Sequence, residues 1–129
     1  MRKLALALAF IASTAHADER LGAEEFNAHV TGRTITFSTL LNPSYGVERY
    51  LPNRRVMWST FDGTCQYGVW FESKGDICFR YDHDPEHKCW AIYMTPQGIR
   101  GEFTTRPNTT VIYEEAARDD PLICNDLSS

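Results

Sequence analysis

The sequence predicts an all-β fold: an antiparallel meander of about eight strands, closed into a small barrel or bent into a strongly curved sheet, after one short helix. Three observations predict it. Short segments of alternating or β-branched residues recur between turn residues such as Asp62-Gly63, Ser73-Lys74-Gly75 and Pro96-Gln97-Gly98. Helical periodicity is confined to one stretch near the start. Four cysteines sit where they can staple strands and tail.

Taken in order, the chain opens with the cationic Met1-Arg2-Lys3, the apolar run from Leu4 to Ala12, and Ala15-His16-Ala17. This is the layout of a secretory signal peptide with small residues at the cleavage site, and its apolar run is too short to span a membrane. The domain plan is a signal peptide over residues 1–17 and a single secreted β domain over 18–129, with no membrane insertion after cleavage. Removing the leader leaves 11 basic against 17 acidic residues, a charge of −6. An acidic domain without a basic stripe argues against nucleic acid or an anionic membrane as partner. The compact leader and the cysteines point to an oxidising periplasm.

Residues 20–30 carry Leu21, Phe26 and Val30 behind early acids, the pattern of a short amphipathic helix that can cover one end of a sheet. Thr34–Thr39 and Val47–Leu51 read as the first two strands, around a loop containing Asn42-Pro43. Next comes the central meander. A two-residue turn at Asp62-Gly63 places Trp58 opposite Tyr67 and Val56 opposite Val69. A three-residue loop, Ser73-Lys74-Gly75, places Phe71 opposite Ile77 and Val69 opposite Phe79. One apolar face results: Val56, Trp58, Tyr67, Val69, Phe71, Ile77 and Phe79.

The loop Asp82-His83-Asp84-Pro85 pairs Ile77 with Trp90 on the core face and Cys78 with Cys89 on the outer one. A turn at residues 95–98 sets Met94 against Ile99 and Trp90 against Phe103. Thr109–Tyr113 is the last strand, followed by a tail from Glu114 that is acidic and polar except for Leu122, Ile123 and Cys124. Counted together, these strands suit a calycin-like small barrel able to hold one small ligand, with an open curved sheet as the alternative.

The registers also predict the disulfides. Cys78 faces Cys89, while Cys65 is expected on the core face and pairs with the remaining Cys124.

Enzyme signatures are missing: no nucleophile elbow, no HExxH and no phosphate loop. No catalytic residue and no cofactor is assigned. The polar loop with His83 and His87 offers zinc-type ligands, but a tight turn splays its side chains outward, so no metal is assigned either. The more suggestive group is Met57, Trp70, Tyr50, Tyr93 and Arg80, which strand parity collects on the outer face as a possible ligand or partner surface. Two functions follow: a binding module for a small apolar ligand inside a barrel, or an inhibitor or accessory subunit that docks on a periplasmic protein through exposed aromatics.

From Tyr45 to Trp90 the chain carries YG-x-E-x-Y, RRVMW, GTCQYGVW, DICFRY and CW. In this run it resembles small secreted bacterial proteins grouped as domains of unknown function. The resemblance implies export and a compact β domain, and implies no activity.

Overall fold

A computed structural model describes residues 1–11 and 18–125; the expected cleavage junction after Ala17 lies outside the described residues. Among the described residues nine strands and one α-helix follow one another: β1 (Glu19–Arg20), α1 (Ala23–Val30), β2 (Thr34–Ser38), β3 (Gly46–Tyr50), β4 (Arg55–Ser59), β5 (Gln66–Ser73), β6 (Asp76–Tyr81), β7 (Lys88–Thr95), β8 (Gly98–Phe103) and β9 (Val111–Glu114). Strands β2 to β9 each pair antiparallel with their sequence neighbours, and β9 returns to β2. The result is a closed eight-stranded up-and-down barrel, so the open curved sheet is excluded. Closure leaves few free edges, and β1 adds a short extra strand beside β7 through Glu19↔Met94 and Arg20↔Tyr93.

Hairpin connections put the loops after β2, β4, β6 and β8 at one end of the barrel. The opposite end is closed by α1. Gly22 caps this helix, with its amide donating to the Glu25 carboxylate, and the next amide, of Ala23, donates to Glu72. Its buried side chains Phe26 and Val30 point into the barrel. Phe26 meets Tyr50, Trp70 and Phe79 edge to face, at centroid distances of 5.7, 5.0 and 6.4 Å. The short amphipathic stretch therefore plugs the barrel as expected, starting three residues later than the sequence suggests because residues 19–20 extend along β7.

The register of the third and fourth hairpins agrees with the expectation: Ile77↔Trp90, Cys78↔Cys89, Met94↔Ile99 and Trp90↔Phe103. The first two hairpins differ by one residue each. Trp58 pairs with Gln66 and Val56 with Gly68, rather than with Tyr67 and Val69. Trp70 pairs with Phe79 and Glu72 with Ile77. Two turns account for this. Asp62-Gly63 is not a two-residue hairpin turn but part of the longer loop over residues 60–65, where Phe61 takes the left-handed conformation and Asp62 accepts the Thr64 amide. Conversely Ser73 pairs with Asp76, which leaves only Lys74-Gly75 in the next turn, both at positive φ as a type I′ turn requires.

The two slips cancel across β5. Val56, Trp58, Ile77 and Phe79 face inward as expected, whereas β5 itself is inverted: Trp70 lies inside, and Tyr67, Val69 and Phe71 lie outside. Gly68 also faces inward, where β5 crosses so close to β6 that a Cβ would overlap the Arg80 carbonyl.

The disulfides are Cys65–Cys124 and Cys78–Cys89, the pairing that the sequence suggests. One reason given for it fails. Cys65 shares the parity of Tyr67 and so belongs with the outer side, which is where the tail runs.

That tail crosses the outside of β2. The Glu115 amide donates to the Thr36 carbonyl, the Thr36 hydroxyl to Asp120, and the Ser38 hydroxyl to Glu115. These contacts explain why Thr36 and Ser38 are buried although they point away from the lumen. Two disulfides indicate an oxidising compartment, and among the described residues no helix is long and apolar enough to cross a membrane.

Candidate functional site

The unplugged half of the barrel contains a cavity of about 490 Å³ that opens between the loops after β2, β4, β6 and β8. Inward side chains of all eight barrel strands line it: Phe37, Glu48 and Tyr50, Trp58, Gln66, Phe79 and Tyr81, Trp90, Phe103 and Ile112. Tyr45 enters from the β2–β3 loop and packs on Trp58 with ring centroids 5.8 Å apart. Trp90 and Phe103, opposite one another on β7 and β8, pack at 4.7 Å. Gly46 makes this arrangement possible, since a Cβ there would overlap the Trp58 indole.

A single carboxyl interrupts the aromatic wall. Glu48 on β3 lies directly across from Trp58 on β4 and is 2% exposed. The Tyr81 hydroxyl donates to its Oε1 at 2.8 Å, while Oε2 meets no hydrogen-bond donor among the described residues. Burial raises its pKa well above the usual carboxylate range, against the smaller opposing effect of the Tyr81 hydrogen bond. Burial, with Glu48 adding to it, likewise raises the phenols of Tyr50 and Tyr81.

Among the described residues that line the cavity, the charged side chains other than Glu48 stand at the rim. Lys88 contacts Asp84 at 3.2 Å and Glu86 at 2.7 Å, and Arg106 contacts Glu86 at 2.9 Å. Donors from Lys88 and Arg106 hold the Glu86 carboxyl below its ordinary range; for Asp84 the Glu86 amide does most of this, followed by Lys88. The loop after β6 is thus fastened by ion pairs. Its His87 ring packs edge-on against Phe71 at 5.2 Å. Among the described residues no three His, Cys, Asp or Glu side chains converge as a metal would require.

The five residues expected to share an outer surface do not share one. Trp70 and Tyr50 are inside the barrel, 2% and 3% exposed. Tyr50 lines the cavity, while Trp70 packs against Phe26 of the helical plug, with the Arg54 guanidinium 4.5 Å from its ring. Two causes produce this correction: β5 is inverted, and the pairing Tyr50↔Val56 puts Tyr50 on the side of the inward-facing Val56. Met57, Tyr93 and Arg80 are indeed outside. Met57 lies half-buried opposite Tyr67, Arg80 is exposed opposite Val69, and Tyr93 lies between the guanidiniums of Arg20 and Arg100 at 5.5 and 4.7 Å.

Glu48, Tyr45 and Tyr81 carry the lumen's polar character, and sequence reasoning assigned none of them a role. A glutamate in GVERY looks like the solvated half of an alternating strand. The signal that could have found it is register: a residue directly opposite the core residue Trp58 must itself face the core. Comparison with family models, with characterised proteins and with solved structures finds no match to this chain.

Proposed function

We propose that this chain is a secreted, non-catalytic binding protein that carries or senses a small molecule with a largely apolar body inside its barrel. The observation that carries this reading is the open, aromatic-lined cavity of about 490 Å³, which every barrel strand helps to form. An interior meant only to fold would be filled by side chains, as small barrels can be. The leader-like N-terminus, the acidic charge and the two disulfides support export to a periplasm.

A second reading, docking on another periplasmic protein, is favoured by a different observation. Leu40 and Leu41 in the β2–β3 loop are 88% and 97% exposed, and Phe61 in the β4–β5 loop is 40% exposed, all at the open end.

Native mass spectrometry of protein isolated from its own periplasm separates the two. We expect a retained mass of a few hundred daltons on the wild type that disappears in Thr110→Trp, which crowds the opening. A bound polypeptide with no small molecule supports docking instead and overturns the lumen reading.

A further inference from the structure

Glu48 is an unusual choice of residue for a position inside a barrel. A leucine or methionine would fill the same space, and a carboxyl with a buried, unpartnered oxygen weakens the fold. Its surroundings are equally specific. Trp58 lies directly across the strand pair, Tyr45 packs on that indole, and Tyr81 donates to the other carboxyl oxygen. A carboxyl within a group of electron-rich ring faces is the combination that recognises ammonium groups, by hydrogen bonding at the oxygen and by cation–π attraction at the rings.

Other ligand classes fit less well. An anion would meet Glu48 in a site of low polarity. A pure hydrocarbon would seal the carboxyl in with Oε2 still unpaired. The rim imposes no opposing field, because Lys88 and Arg106 are each already paired with Asp84 or Glu86.

We infer that the lumen takes a small organic cation, an amine on an apolar body, whose ammonium group donates to Glu48 Oε2 and is enclosed by Tyr45, Trp58 and Tyr81. This deepens the lumen reading and rests on it. A proton linkage follows. Burial keeps the free protein's carboxyl protonated above the usual range, so an arriving cation displaces that proton to form an ion pair. The groups that face this carboxyl are the phenols of Tyr45, Tyr50 and Tyr81, with Asp84, Lys88 and Arg106 farther out at the rim. Amine affinity therefore rises with pH until Glu48 ionises on its own.

The test is isothermal titration of the full chain with three probes of one shape: naphthylmethylamine, naphthylmethanol and naphthoate. The amine should bind at least about tenfold more tightly than the alcohol, a difference of about 1.4 kcal/mol, and the carboxylate most weakly. Titrations in two buffers of different ionisation enthalpy should show proton release with the amine and none with the alcohol. Glu48→Gln should lose the preference for the amine over the alcohol. Should that variant fail to fold, Glu48→Met carries the same comparison. If alcohol and amine bind alike to the wild type, or if the preference survives removal of the carboxyl, the inference is overturned while the lumen reading stands. If none of the three binds, both fall.

Discussion

Glu48 and Glu114 both point into the barrel, the first in its open half and the second beside the helical plug. Glu114 has three donors: the Ile99 amide at 2.8 Å, His29 at 2.7 Å and Arg33 at 2.7 Å. Burial pushes its pKa up, but these donors together outweigh it, and the carboxyl sits below its ordinary range. Glu48 has one neutral donor and is raised. The linkage signs are therefore opposite. For Glu48 the unfolded chain ionises near pH ~4.3 while the folded chain holds its proton. Stability is then lost as pH rises from there toward the folded value. For Glu114 the contribution is present above pH ~4.3 and is lost as pH falls through its depressed value. Glu48→Gln should thus gain about 1–3 kcal/mol at neutral pH, with the gain vanishing near pH ~4. Glu114→Gln should lose about 2 kcal/mol at neutral pH, with a deficit that shrinks in acid. Thermal melts of both variants across this range decide the matter, and shifts of the same sign at neutral pH would refute the assignment. A gain in Glu48→Gln is what a residue kept for binding rather than for folding predicts.

At the scale of elements, the barrel depends on α1 as much as on its strands. Phe26 is fully buried and touches Tyr50, Trp70 and Phe79, so it joins β3, β5 and β6 at the closed end. Phe26→Ala should cost about 3–5 kcal/mol in urea denaturation. A loss below about 1 kcal/mol would mean that the helix can leave without consequence for the core. The plug was legible in the sequence because Phe26 and Val30, one helical turn apart after the acids Glu24 and Glu25, have few other uses. The meander and the inner faces of β6, β7 and β8 were legible too, since Ile77, Phe79, Trp90, Ile92, Ile99 and Phe103 alternate cleanly. Strand β5 was not. It carries Tyr67, Val69 and Phe71 on one parity and a single large apolar residue, Trp70, with Gln66, Gly68 and Glu72 on the other. Counting apolar residues selects the wrong face. The right one depends on volume: one indole fits against Phe26 where Gly68 has brought β5 and β6 close together. The outer apolar residues are partly covered instead by Met57, His87 and one another. Because the candidate site lies between strands whose parity depends on these registers, the one-residue error on β5 moved Trp70 out of the barrel, and leaving β3 unregistered against β4 misplaced Tyr50 and hid Glu48.

For the whole molecule the critical join is the seam between the last barrel strand and the first. β9 and β2 share only two residue pairs, Phe37↔Glu114 and Ser38↔Tyr113, against six between β7 and β8. The chain reinforces that seam from outside. After β9 the tail lies along β2 through the Glu115 amide and Asp120, and Arg118 donates to the Pro43 carbonyl of the β2–β3 loop. It then reaches the β4–β5 loop, where the Asn125 amide donates to the Gly63 carbonyl and Cys124 is bonded to Cys65. The bridge thus fixes the far end of the strap that covers the weakest join. Cys78–Cys89 instead links residues already opposite each other within a hairpin. Loop-closure entropy assigns the bridge with a sequence separation of 59 about 4 kcal/mol, and the one with a separation of 11 about 3 kcal/mol. Entropy alone would raise hydrogen exchange through global unfolding, evenly across the core. The strap predicts more: in Cys65→Ser/Cys124→Ser, amides near residues 36–38 and 113–115 should exchange by local opening, well before those of β7 and β8. In Cys78→Ser/Cys89→Ser they should not. Uniform acceleration in the first variant would show that this bridge acts only on the unfolded chain and that the seam holds without its strap.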